Sequence, residues 1–155
     1  MSTVFDAELA VSTPRSTTRA LLRFNLLATA AAAAATEALT GVVRLSGVHL
    51  AVGNPGGDAG SVVPVNVGAC TVTVVLVMVF GTVLATAVNR FENRPARTYQ
   101  VTAAVLVALS LIAPLTAAAT SAATKLTLIA AHLLAAVIVI PIVTRCLARA
   151  DRPVA

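Results

Sequence analysis

The chemistry open to this chain rests on a few side chains. Glu37 is the one acid inside an apolar run, and His132 lies inside another. A carboxylate and an imidazole brought together can move a proton or hold a small cation. Arg44 follows Glu37 by seven residues and Lys125 precedes His132 by seven, so each pair shares a helix face. Two readings of Glu37, His132, Arg44 and Lys125 follow. One is a polar pocket that binds a proton or a small cation. The other gives Glu37 an ion pair or hydrogen bond that fixes helix packing. The lack of a second intramembrane acid for a proton relay favours the packing role.

Other chemistry finds little to work with. The sequence has no Ser-His-Asp set, paired catalytic carboxylates, HExxH or CxxC. The two cysteines, Cys70 and Cys146, and the two histidines, His49 and His132, are scattered, which is a poor arrangement for a metal. No enzyme activity, cofactor or metal is expected.

The elements that must position these groups are set by composition. Of 155 residues, 58% are hydrophobic and only 11% charged. A soluble domain carries about a quarter charged residues to wet its surface. This chain lacks that coat, and a bilayer supplies an apolar solvent instead. The net charge of +5 raises the question of nucleic acid. The arginines, however, sit in three short clusters beside apolar runs with few aromatics between them, so anionic lipid headgroups are the partner expected.

Four runs are long enough to span, at about 24–43, 67–88, 99–119 and 126–143. Residues 1–20 read as a disordered tail and 149–155 as a second short tail, bracketing a transmembrane domain over 21–148. The first run carries an alanine tract and could act as a cleaved signal, but the residues before it are too many for an ordinary n-region, so an uncleaved helix is expected. Residues 44–66, with their glycines, read as a flexible connector, and 121–125 as a tight turn. Asn25 reads as a helix cap or headgroup contact, and Phe24, Phe91 and Tyr99 as interfacial aromatics.

With four spans, the two tails and the second connector share a side. They hold nine of the 11 basic residues, against Arg44 and Lys125 on the other. The positive-inside rule then places both termini in the cytoplasm. The fold class expected is an all-α integral membrane four-helix bundle in the plasma membrane. Alanines at 28, 32 and 35 and at 104 and 108 offer faces for close helix contact. At 70 and 146, near opposite faces of the membrane, the cysteines cannot form an intramolecular disulfide.

Three stretches carry a resemblance to a family. Arg44-Leu-Ser-Gly-Val-His-Leu50 follows the first run, and Arg94-Pro-Ala-Arg97 precedes the third. The last runs from Pro114 through Ser121 and Lys125 to His132-Leu-Leu-Ala-Ala and Ile140-Pro141. In these the chain resembles a family of short four-helix membrane proteins common in actinobacteria and known as a domain of unknown function. The likeness, over roughly residues 20–148, implies a four-span protein of an actinobacterial plasma membrane and brings no activity or site residues with it. The function expected is a non-enzymatic scaffold or partner subunit, whose partners are the lipid bilayer and itself or another membrane protein. The alternative is a small transporter or channel subunit with its polar site around Glu37 and His132.

Overall fold

A computed structural model describes residues 18–150. Its elements run in the order α1 (Thr18–Leu45), β1 (Ala51–Val52), a 3-10 turn (Ala59–Ser61), β2 (Val63–Pro64), α2 (Ala69–Phe91), α3 (Pro95–Ser110), α4 (Ile112–Thr116) and α5 (Ala122–Ala150). Four helical segments, with α3 and α4 counted as one, are long and apolar enough to cross a membrane. They run antiparallel, so α1 begins and α5 ends at the same end of the bundle. Arg19, Arg23, Arg90, Arg94, Arg97, Arg145 and Arg149 cluster there, which we call the arginine end. The opposite end carries the two-stranded hairpin.

All four spans outrun, at one end or both, the apolar segments that announce them, α1 and α5 the most. Hydropathy marks the hydrocarbon slab, whereas a helix continues wherever its backbone bonds and one buried face persist. Leu21, three residues into α1, is 1% exposed, and Cys146 and Leu147 near the end of α5 are 4% and 0% exposed. These side chains pack with Ala85, Val88, Tyr99 and Val143 in a core cluster at the arginine end. The arginines point outward beside them, and the Arg149 guanidinium lies 5.8 Å from the Phe24 ring, which ties the end of α5 to the start of α1. Thr18, Arg19 and Ala20 are therefore helical rather than part of a tail. The rest of the expected N-terminal tail and residues 151–155 lie outside the described residues.

Around the bundle the order is α1, α2, α3, α5 and back to α1. The α1–α5 contact is the most extensive, α1–α2 and α3–α5 come next, and α2–α3 is the thinnest of the four. The alanines at 28 and 32 of α1 lie inside the bundle. Both are 0% exposed, so the helices of the bundle approach closely along that face.

The third span breaks at Leu111 for a local reason. Pro114 has no N–H to offer the Ser110 carbonyl four residues back, and its ring crowds that turn. Helix α3 ends at Ser110 and a single further helical segment, α4, follows. Pro141 lies inside α5 without interrupting it.

Two loop expectations are corrected. Of residues 44–66, the first two complete α1 and the rest hold an ordered hairpin rather than a flexible connector, with Ala51 opposite Pro64 and Val52 opposite Val63. Its tip is tied to the α4–α5 turn, where the Gly53 amide donates to the Thr120 hydroxyl at 2.9 Å and the Ala118 amide to the Asn54 carbonyl at 3.2 Å. The approach is so close that a Cβ at Gly53 would collide with the Ala118 carbonyl. The second tight turn occupies 117–121, with Ala119 in the left-handed region at φ 50°. Residues 122–125 belong to α5, because the Ser121 hydroxyl accepts from the Thr124 amide at 3.2 Å and so caps that helix.

Replacing Ala32 by Leu should overpack the bundle and lower its stability by about 1–3 kcal/mol. Ala34→Leu, two residues further on and on the outward face, should change stability by under about 0.5 kcal/mol. Thermal melts of the two variants in the same detergent, read against wild type, test the difference.

Candidate functional site

Glu37 lies eight residues before the end of α1 and is partly buried. Its Oε1 accepts hydrogen bonds from the Thr71 amide at 3.0 Å and the Thr71 hydroxyl at 3.3 Å. Thr71 is the third residue of α2, whose N-cap is Gly68 at φ 88° with no side chain to give. The first amides of a helix have no intrahelical acceptor and carry the positive end of its dipole. A capping side chain usually meets the amide of the second or third helical residue. Here a carboxylate from the neighbouring helix takes that role.

Arg44, two turns further along α1, donates from one terminal nitrogen to the Val65 carbonyl at 2.8 Å and to the Asn66 carbonyl at 3.1 Å. Glu37 and Arg44 thus come together on one stretch, residues 65–71, the strand-to-helix passage that leads into α2. They do not pair with each other there. The acid holds the N–H end and the guanidinium holds carbonyls just upstream.

The other two candidates also bond to the backbone. The Lys125 ammonium donates to the Leu115 carbonyl at 3.2 Å, one of the last carbonyls of α4. His132 Nδ1 meets the Leu128 carbonyl at 2.7 Å, and since a carbonyl only accepts, Nδ1 carries the proton. Counted along the helices at 1.5 Å per residue, Glu37 lies about 12 Å and His132 about 15 Å from the hairpin end. They share a layer, yet no hydrogen bond or ion pair joins them. His132 lines a cleft between α2, α3 and α5, and Glu37 does not.

Two further polar residues sit differently from their sequence reading. Asn25 is no cap, being seven residues inside α1 and 3% exposed, with both side-chain polar atoms lacking a hydrogen-bond partner. Tyr99 turns into the core cluster at 2% exposure instead of facing outward at an interface, whereas Phe91 is 77% exposed. Among the described residues no three His, Cys, Asp or Glu side chains gather closely enough to hold a metal ion. Cys70 opens α2 at the hairpin end and Cys146 lies near the arginine end of α5, and the two are not joined in a disulfide.

The α2 cap was not legible because its two halves are 34 residues apart and the acceptor meets a backbone amide. The only trace in the sequence is a helix start, Val67-Gly68-Ala69, that lacks its own Ser, Thr, Asp or Asn cap.

Glu37→Ala removes the acceptor and strands the Thr71 amide, and should cost about 1–3 kcal/mol. Glu37→Gln keeps an acceptor oxygen and loses only the charge at the helix dipole, about 0.3–1 kcal/mol. Melting temperatures should therefore fall in the order wild type, Gln, Ala; equal melting of all three would remove the capping role. At the opposite end, Asn25→Leu replaces an orphaned buried amide by an apolar side chain of similar volume and should raise the melting temperature.

Comparison with curated proteins and with solved structures gave no match. A family model does match, over residues 16–149, nearly the whole of the helical bundle. The chain belongs to that family, DUF6069, a family of unknown function.

Proposed function

We propose that this protein is a non-enzymatic scaffold or partner subunit of the plasma membrane, with both termini in the cytoplasm. The observation that carries the reading is the use of its intramembrane polar groups. Glu37, Arg44, Lys125 and His132 each bond a backbone group of the same bundle, and no hydrogen bond or ion pair joins them into one set among the described residues. Such residues are costly in lipid and usually mark function, but satisfying backbone is a function that ends within the fold.

The surface supports a helical partner. The alanines at 28 and 32 are consumed inside the bundle, while Ala104 and Ala108 are exposed on α3 beside Val101 and Val105, at 58% and 53% exposure. Small residues four apart on an outward face let a second helix come close. The distribution of basic residues, nine on the side of the termini and two on the hairpin side, supports the orientation.

Native mass spectrometry of the detergent-solubilised protein tests the partnership. Wild type should run as an assembly heavier than its 15.6 kDa monomer, and Ala104→Leu with Ala108→Leu should release the monomer without loss of melting temperature. A wild-type monomer that carries a cation flux abolished by Glu37→Gln would instead establish the small-transporter reading. Cysteine labelling of intact cells, in a background lacking Cys70 and Cys146, checks the orientation. Asp58→Cys in the hairpin should react with a membrane-impermeant maleimide, and Glu92→Cys should not.

A further inference from the structure

The hairpin has little packing of its own, and it sits over an opening. Val52, Val63, Pro64 and Val65 line one end of the cleft of about 620 Å³ between α2, α3 and α5. Tyr99, in the core cluster, lies at the other end, and the side of the cleft is open past Phe80, at 75% exposure. Of residues 46–66 only Leu50 and Gly53 are buried. A segment with so few buried contacts keeps its place through its hydrogen bonds, and it is the kind that opens locally before the rest of a fold does.

The hairpin's two ends are held in different ways. At the base, Arg44 donates to the Val65 and Asn66 carbonyls, and the Val65 amide donates to the Leu50 carbonyl at 2.9 Å. Leu50, at 5% exposure, anchors that end in the bundle. At the tip the bonds all run to one short turn. The Gly53 amide donates to the Thr120 hydroxyl, and the same hydroxyl donates to the Ala118 carbonyl at 3.0 Å. The Ala118 amide in turn donates to the Asn54 carbonyl, with Pro55 and Ala117 paired as a single bridge alongside.

That turn is strained. Ala119, between the two bonded residues, is the one non-glycine residue with a positive φ among the described residues, at 50°. The left-handed region crowds a Cβ, and a residue stays there only where its surroundings hold it. Here the Thr120 hydroxyl does so, closing across Ala119 onto the Ala118 carbonyl while it receives the hairpin. The hairpin's bonds and the strained turn therefore hold each other. Losing Gly53 leaves the hydroxyl less firmly set, and relaxing Ala119 carries Ala118 and Thr120 away from Asn54 and Gly53.

We propose that the hairpin is a lid, hinged at the base that Arg44 pins and latched at its tip on the strained α4–α5 turn, and that release of the latch opens the hairpin end of the cleft to water. The lid stands apart from the scaffold reading, because none of its bonds involves Ala104 or Ala108.

Hydrogen exchange of single amides, in full-length protein reconstituted in phosphatidylcholine nanodiscs, reads the latch directly. The Gly53 and Ala118 amides should exchange together, through one opening, and faster than the Val65 amide at the base. Thr120→Val removes the shared hydroxyl and should speed exchange at Ala118 roughly three- to tenfold, although the Ala118 bond to Asn54 is itself untouched. Ala119→Gly relieves the closed turn and should slow both amides roughly threefold. Gly53→Ala, whose Cβ meets the Ala118 carbonyl, pries the latch from the hairpin side and decides the matter if Thr120→Val fails to fold. Cys70, which lines the cleft, supplies the access readout. Its reaction with a membrane-impermeant maleimide, mapped by mass spectrometry, should quicken in the two opening variants and slow in Ala119→Gly. Ala118 exchange unmoved by a folded opening variant would overturn the latch, as would Gly53, Ala118 and Val65 exchanging at one rate. Equal Cys70 reactivity in all the variants would overturn the opening of the cleft.

Discussion

A hydrocarbon solvent offers no hydrogen bonds, so every backbone amide and carbonyl that a helix leaves unpaired must find a partner from within the protein. That constraint accounts for most of the polar side chains this chain retains. The helix interiors satisfy themselves, and threonines such as Thr29, Thr36, Thr40, Thr82 and Thr86 return their hydroxyls to carbonyls one turn back. The trouble lies at the ends. Helix α2 starts on a glycine and cannot cap itself, so Glu37 of α1 reaches across to its third amide. The last carbonyls of α4 and those before α2 fall to Lys125 and Arg44. These bonds cross between elements, and so they fix where α2 begins relative to α1 and where α4 ends relative to α5.

The same logic explains how a chain with so little polar material holds an ordered hairpin. Its strands are only two residues each, too short to stand alone. Arg44 binds the carbonyls at its exit, and Gly53 and Asn54 bond with the α4–α5 turn at its tip. The glycines that read as flexibility in the sequence serve close approach at Gly53 and a left-handed turn at Gly56. A composition rich in glycine cannot by itself distinguish a loose linker from a tightly seated one, because the difference lies in partners more than sixty residues away.

Spans were legible because hydropathy is a local property, and their number and antiparallel course follow from it directly. What escaped were features that depend on a second element. The run of apolar residues ends near Phe24 and Val143, but the helices continue, since Leu21 and Leu147 still have a core to enter. Tyr99 looks like an interfacial anchor by position and is a core residue by direction. Asn25 looks like a cap only if α1 is taken to start with it. For the candidate site, the sequence puts Glu37 and Arg44 on one face, and it places Glu37 and His132 at one depth. It could not show that each would bond to a backbone group from a different neighbour, because backbone atoms carry no signature in a sequence.

The ring order then has a consequence for the interior. In lipid, helices gain little by burying apolar surface against one another, so contact follows shape: small residues close a seam, and bulky or branched ones hold it open. Ala28 and Ala32 of α1 are fully buried within the ring. On α2 the facing positions are Val74 and Val77, with Phe80 at the mouth, and α3 faces them with Leu106 and Val107 as well as Ala103. An unfilled seam of this size forfeits the dispersion contacts its walls would otherwise make. The wall atoms regain those contacts only if something from the surrounding bilayer lies along them.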